Sequence, residues 1–324
     1  MSFIEEWKKA GALQEVDPDF AIHLLEEAES LISAQKTNLI DRASWVYFLD
    51  TTKKPAFLKA LKEDAARIRW AEAVFSLLQI TGYSLRDMMD SRVNEHPDRI
   101  LFREMPAPKP VEWSYEQIQR HLREIASVFY HAVKSQPRVA IYSDNCLESA
   151  CTDIACLCYD IFDTPLSLHF SAEILVPIFD QLKINIAVTD SRDRYSVLLK
   201  VKAKTKTKFK IFTLPGGLSK EGESFFLPKE CKKLSGQDID KMVTRHATRK
   251  NTEVATTMFT SGSTGLPKGV SFSIYNIVSK RFARAAALPG MRHTSRTASK
   301  PNGASQQGMT ATNPRRGRSQ PNDE

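Results

Sequence analysis

One stretch of the chain, Thr260-Ser-Gly-Ser-Thr-Gly-Leu-Pro-Lys-Gly269, combines residue types at a spacing that points to chemistry. Its two hydroxyl pairs, Thr260–Ser261 and Ser263–Thr264, can donate hydrogen bonds to phosphate oxygens. Gly262 and Gly265 let the backbone adopt positive φ and approach a ligand closely. Successive backbone N–H groups in such a turn form a concave anion site. Pro267 stiffens the exit, and Lys268, followed by Gly269, supplies a compact positive charge. The candidate phosphate-binding residues are therefore Thr260, Ser261, Gly262, Ser263, Thr264, Gly265, Lys268 and Gly269. An ordinary turn rich in serine and glycine rarely contains this order.

Two better-known phosphate loops do not fit. A Walker A loop needs glycine directly before the lysine and serine or threonine directly after it; here Pro267 and Gly269 hold those places. A dinucleotide fingerprint fails because the third glycine and the distal acid are missing at the right spacing. Of the five cysteines, Cys146, Cys151, Cys156 and Cys158 crowd one apolar segment. No matching histidine or cysteine pair stands at zinc spacing, so no metal ligands are assigned. They read as small buried hydrophobes of a reducing compartment, which argues for the cytoplasm. Lys200, Lys202, Lys204, Lys206, Lys208 and Lys210 recur at period two. In an extended segment they would line one face. The ordinary reading is a solvated connection into a strand at Phe209; contact with an anionic membrane surface or nucleic acid is the alternative.

The elements that must position the loop follow from hydrophobic spacing. Strands are expected at Ile100–Arg103, Val139–Tyr142, Ile184–Val188, Phe209–Phe212, Val254–Phe259 and from Gly269. Helical patterns separate them: from Ser114, whose Gln117 three residues later makes a capping box, through the cysteine segment, from a cap at Ser171, from Ser191 to Leu199, over Lys232–Lys250 and over Ile274–Leu288. A short helix opens at Ser84 and ends before His96-Pro97. Strands alternating with helices predict crossover units and a mostly parallel sheet, hence an α/β fold. Residues 1–80 read as helices. Asp17-Pro18 starts one that carries Ala21, Leu24, Leu25, Ala28, Leu31 and Ile32. A longer pattern of Phe57, Leu61, Ala65, Ile68, Ala71, Phe75 and Leu78 follows Pro55 and closes at Gly82.

The length of 324 residues allows about two ordinary domains. No apolar run resembles a signal peptide or a membrane span. Beyond Pro289 the texture changes: no Leu, Ile, Val, Phe, Tyr or Trp occurs, and six basic residues face two acidic ones, half of the formal net charge of +8. Such a segment is expected not to fold. The abrupt change reads as a shifted frame or splice, a genuine basic tail being the alternative. Because so much of the basicity lies there, nucleic acid is not expected as a partner.

The stretch from Thr260 to Gly269 closely resembles the signature of the adenylate-forming superfamily, which holds acyl-CoA synthetases, luciferases and peptide-synthetase adenylation domains. Val139-Ala-Ile-Tyr-Ser-Asp-Asn145, the helix after it and Thr164-Pro165-Leu166 are similar to the early part of that family's large domain, as is the helix–strand pair around Leu175 and Ile184. The resemblance covers residues 83 to 288, is nearest to a long-chain fatty-acid–CoA ligase, and departs at Thr257, where the family usually carries an aliphatic residue. It implies an incomplete AMP-binding domain over residues 81–289; the helical pattern before it and the change of texture after it make residues 1–80 a helical extension and 290–324 a disordered basic tail. The resemblance implies ATP, Mg²⁺ and CoA as cofactor and co-substrates and a carboxylic acid, such as a fatty acid, as substrate. The loop would wrap the β- and γ-phosphates. The family's metal-binding glutamate, its ribose clamp and its catalytic lysine have no counterpart in this sequence, so no catalytic residue is assigned. The chain is expected to be inactive alone, with a non-catalytic interaction module as the alternative.

Overall fold

A computed structural model describes residues 3–10, 15–105, 110–215, 222–245, 250–260 and 267–287. The expected tail at 290–324 and the glycine-rich turn at 261–266 lie outside the described residues.

The first elements are helices: α1 (Phe3–Ala10), α2 (Pro18–Ser33), α3 (Arg42–Thr52), α4 (Pro55–Ala60) and α5 (Asp64–Ile80). Asp17 caps α2 as expected, its carboxylate accepting from Phe20 N at 3.0 Å, and Ala21, Leu24, Leu25 and Ala28 are buried. The single long helix expected after Pro55 is instead two. The chain breaks between Ala60 and Asp64, which resets the helical phase. The buried face of α5 is then Ala66, Trp70, Ala73, Val74, Leu77 and Leu78, while Ile68 is 60% exposed. Trp70 is the bulkiest apolar side chain of α5, and the helix turns to bury it. Gly82, at φ +60°, turns the chain out of α5.

Next come α6 (Leu85–Glu95), closed at its start by a capping box of Ser84 and Asp87, and a two-stranded antiparallel ribbon of β1 (Ile100–Glu104) and β2 (Val111–Ser114). The remaining elements are α7 (Tyr115–Ala132), β3 (Arg138–Tyr142), α8 (Leu147–Cys158), β4 (Phe162–Pro165), α9 (Ala172–Leu182), β5 (Ile186–Thr189), α10 (Arg192–Lys204), β6 (Lys210–Thr213), β7 (Phe225–Phe226), α11 (Leu227–Cys231), α12 (Gly236–Arg245), β8 (Val254–Thr260), β9 (Lys268–Ser273) and α13 (Ile274–Ala287). Among the described residues seven strands form one sheet in the order β7-β6-β5-β3-β4-β8-β9, parallel throughout except that β9 runs antiparallel to β8.

The connections leave β3 in both directions. The step from β3 to β4 goes one way, and the steps to β5 and β6 go the other. Right-handed crossovers then put α8 on one face and α9 and α10 on the opposite face. The two cores agree. Val139 and Ile141 pack with α7 and α8 residues, whereas Ala140 and Tyr142, alternating along the same strand, pack with α9 and α10. A third core joins α1–α5 to Ala255 of β8 and Ile274, Val278 and Phe282 of α13.

Three further expectations need correction. The lysine run is not extended. Lys200, Lys202 and Lys204 belong to α10, and Lys210 starts β6. Helical residues two apart point in different directions, so Lys202 is turned away from Lys200 and Lys204 and the six ammonium groups do not form one row. Tyr195, Leu198 and Val201 impose the helix, because that spacing buries all three. The polar segment after Lys232 is likewise not one helix: Lys232 caps the end of α11, and α12 begins at Gly236. Finally, Ser171 stands at the N-cap of α9 without a side-chain capping bond. Cys151, Cys156 and Cys158 are buried and Cys146 is half-buried; burial pushes the Cys151 thiol up to about 12.

Candidate functional site

β8 and β9 pair from Val254 opposite Ser273 to Thr260 opposite Lys268. The glycine-rich turn thus springs from two residues directly across from each other, where Thr260 Oγ1 donates to Lys268 O at 3.4 Å. Of the eight candidate residues the structure places Thr260, Lys268 and Gly269 together at the end of this hairpin; Ser261, Gly262, Ser263, Thr264 and Gly265 lie outside the described residues. Lys268 is exposed. Gly269 has a steric reason that its place in the motif did not reveal. A Cβ there would lie 3.1 Å from Thr257 Cγ2 and 3.2 Å from Phe259 Cε1. Phe259 in turn stands edge-on to Phe170, ring centroids 6.3 Å apart, so it has little room to yield.

Thr257 is buried in the middle of β8. Its hydroxyl shares a 2.9 Å hydrogen bond with that of Ser271 across the hairpin, and its carbonyl accepts from Thr164 Oγ1 of β4 at 2.7 Å. The hydroxyl pair gives this position a use for threonine.

In a parallel sheet, ligands bind beyond the carboxyl ends of the strands, where the strand order reverses. The carboxyl ends of β5, β3, β4 and β8 lie along one edge here, and the reversal falls between β3 and β5. There Asp190 and Asp144 meet at Arg194: Asp190 Oδ2 accepts from Asp144 N at 3.0 Å, and the guanidinium donates to Asp190 Oδ1 at 2.7 Å and Asp144 Oδ2 at 2.6 Å. The hydrogen bond to Asp190 holds the Arg194 guanidinium above its ordinary pKa. Beyond β4, Tyr142 Oη donates to Phe170 O at 3.0 Å and fixes the following loop.

Next to this edge lies a cavity of about 780 Å³ between the β1 end of the ribbon and the first turns of α8, floored by Ile141, Pro165 and Leu166 and edged by Ser143 and Asn145. The segments Val139–Asn145 and Thr164–Leu166, singled out in the sequence only as stretches, therefore meet at one opening. The start of α8 is pinned by His121 of α7, whose Nε2 lies 2.7 Å from Glu148 Oε2 and Nδ1 3.4 Å from Glu124 Oε2. Burial opposes the imidazolium charge, but the hydrogen bonds and charges of Glu124 and Glu148 outweigh it and hold the pKa up at about 9. Sequence reasoning missed this clamp, because His121 and Glu148 are 27 residues apart. Among the described residues no group of three or more His, Cys, Asp or Glu could hold a metal ion, and no helix is long and apolar enough to cross a membrane.

Comparison with known proteins agrees with this architecture. Long-chain-fatty-acid–CoA ligase 5 of Rattus norvegicus is 24% identical over 188 residues, which span 54% of this chain and 27% of that protein. The chain thus spans about a quarter of this curated relative. Among solved structures, the anthranilate CoA ligase AuaEII in complex with anthranoyl-AMP superposes over 60% of this chain and 35% of its own, with a TM-score of 0.50 and 10% identity. A candidate long-chain-fatty-acid CoA ligase of Rhodopseudomonas palustris CGA009 superposes over 63% of this chain and 48% of its own, with a TM-score of 0.51 and 18% identity. At these identities the likeness is one of fold. The model of the family described as AMP-binding enzyme matches residues 89–300, which is most of the chain and includes the hairpin and the sheet that presents it; the chain belongs to the AMP-binding enzyme family.

Proposed function

We propose that the β8–β9 hairpin holds the β- and γ-phosphates of ATP in an AMP-forming acid–CoA ligase whose carboxylate is a fatty acid. In that reaction a carboxylate oxygen attacks the α-phosphorus and pyrophosphate leaves. The CoA thiol then attacks the acyl-adenylate carbonyl and AMP leaves. The observation that carries the reading is the hairpin end itself. Thr260 and Lys268 stand opposite each other at the carboxyl edge of a mostly parallel sheet, with the glycine- and hydroxyl-rich turn strung between them. Negative charge accumulates on pyrophosphate as the α-phosphate bond breaks, and a cation fixed at that point stabilises the transition state more than the ground state. Lys268 would supply that cation; Thr260 would donate a hydrogen bond. The ligase name of the rat relative supports the fatty-acid part. Mg²⁺ would neutralise phosphate charge, but the described residues gather no group of three or more ligating side chains to hold it, so no step is routed through it. On this reading residues 81–289 belong to the AMP-binding domain and residues 1–80 are a helical extension of it.

The test is titration of ATP and of pyrophosphate, each with Mg²⁺, into the chain and into Lys268→Ala. Binding to the parent chain that weakens by about tenfold in the variant is expected for loss of one charge-assisted contact. Equal affinity in both, or no binding to the parent, would overturn the assignment.

A further inference from the structure

The phosphate hairpin joins the rest of the sheet through β8 alone among the described residues, by the Thr164–Thr257 bond and a short ladder. Between β4 and β8 a single residue pair, Asp163 opposite Thr256, is in ladder register, and among the described residues β9 pairs with β8. The far end of the hairpin is held differently. Asn251, three residues before β8 and 4% exposed, donates from Nδ2 to Leu78 O at 2.7 Å and to Tyr83 O at 3.1 Å. Its own carbonyl accepts from Tyr275 N, at the start of α13, at 2.7 Å. One asparagine thus ties the entrance of β8 and the exit of β9 to the end of α5.

A second tie lies deeper. Phe282 of α13 is fully buried and stands edge-on to Tyr83, with ring centroids 5.7 Å apart. Lys53 Nζ lies 5.0 Å from the centre of the Phe282 ring and is paired with Asp50, which also accepts from Tyr83 Oη at 2.5 Å. A buried ion pair contributes little net stability, because desolvation offsets the attraction. What it can do is accept one arrangement of its neighbours and penalise others. Here those neighbours are the C-terminal end of α3, the turn after α5 and the helix that continues the hairpin.

We infer that the helical segment 1–83 positions the phosphate-binding hairpin, acting through Asn251 and through the Asp50–Lys53–Tyr83 cluster beneath Phe282. The five steps from Ser273 to Lys268 cover about 17 Å of strand, so a small rotation at the anchor is carried to the turn at the other end. The inference rests on the reading of that hairpin as the ATP phosphate site, but its mechanical half stands without it.

The experiment uses the full chain, Asn251→Ala, and the double variant Asp50→Asn/Lys53→Met. The double variant removes both buried charges while leaving a carboxamide oxygen for Tyr83. Hydrogen exchange is read separately over residues 254–260 and 268–273 and over β3 and β5, with thermal melting and ATP titration alongside. We expect exchange in the hairpin to rise about tenfold in the double variant while β3 and β5 keep their protection, and ATP affinity to fall about fivefold. Asn251→Ala should act in the same direction; if it does not fold, the double variant decides. Unchanged hairpin exchange, or an equal rise in all four strands, would overturn the inference, since the latter is what a merely structural role produces. A loosened hairpin with undiminished ATP affinity would overturn its functional half. Failure of the parent chain to bind ATP would sink the phosphate-site reading, while the exchange pattern would still decide whether segment 1–83 holds the hairpin.

Discussion

The helical core around α1–α5 and the two cores of the sheet are specified by different means. In the sheet, Val139, Ile141, Ile186 and Val188 go to one face while Ala140, Tyr142 and Ala187 go to the other, and the ladder fixes which is which. A period of two does the sorting, and no single side chain decides it. The helical core instead turns on a few large side chains with polar handles. Trp7 Nε1 donates to Thr51 Oγ1 at 2.5 Å, Trp45 Nε1 donates to Thr37 O at 2.8 Å, and Trp70 lies fully buried between α5 and its neighbours. Redundancy protects the first kind of core; the second depends on particular residues.

The comparison can be broken most directly at Trp45. Trp45→Ala removes a buried indole that stands edge-on to Phe48 and leaves the Thr37 carbonyl with only its 3.3 Å bond from Ile40 N. It should lower unfolding free energy by about 3–5 kcal/mol, measured by urea denaturation. Leu175→Ala in the sheet core should cost about 2–4 kcal/mol. If the sheet variant proves the more damaging, the contrast fails.

A second test concerns the α7–α8 clamp, which belongs to the sheet side yet depends on one residue. Glu124 and Glu148 hold the His121 imidazolium up to about 9 in the folded chain, above the ordinary 6.5. The folded state therefore holds a proton that the unfolded state releases between those values. Its contribution is fully present below pH 6.5 and is lost as pH rises through 9. Urea midpoints at pH 6 and pH 9.5 should show the parent chain losing up to about 3 kcal/mol more than His121→Gln. Parallel pH profiles for the two proteins would show that the clamp contributes nothing.

The smallest effect is expected at Gly269. Gly269→Ala places a methyl against Phe259 and Thr257 and should cost about 1–2 kcal/mol. Phe259→Leu in the same chain should recover part of it, as read by thermal melting. Absence of rescue would assign the role of Gly269 to the turn rather than to packing.

What the sequence made legible was local. Asp17-Pro18 and the Ser114–Gln117 capping box mark helix starts through bonds that span three residues, and both form. The parallel sheet was legible from the alternation of strand and helix patterns. Strand β2 was not: Val111-Glu-Trp-Ser is four residues long, half exposed, and takes its order from pairing with β1. The lysine run misled because its period-two charge pattern overlies a helical apolar pattern, and burial of Leu198 and Val201 decides the outcome. The cavity could not be read in advance, since its wall comes from β1, β3, β4 and α8, joined only by folding.

The bonds from Asn251 to Leu78 and Tyr83 span 173 and 168 residues. During synthesis at about 5–20 residues per second, that separation corresponds to on the order of 10–30 s. Through this interval the newly made helices have no α13 to cover Tyr83 and no Phe282 to shelter Lys53. The β8–β9 hairpin, by contrast, joins neighbours in the chain and can close within microseconds of emerging. The part of the molecule that is made first is thus completed last, and chaperone engagement during translation is expected to concentrate on the face of α3 and α5 that awaits α13.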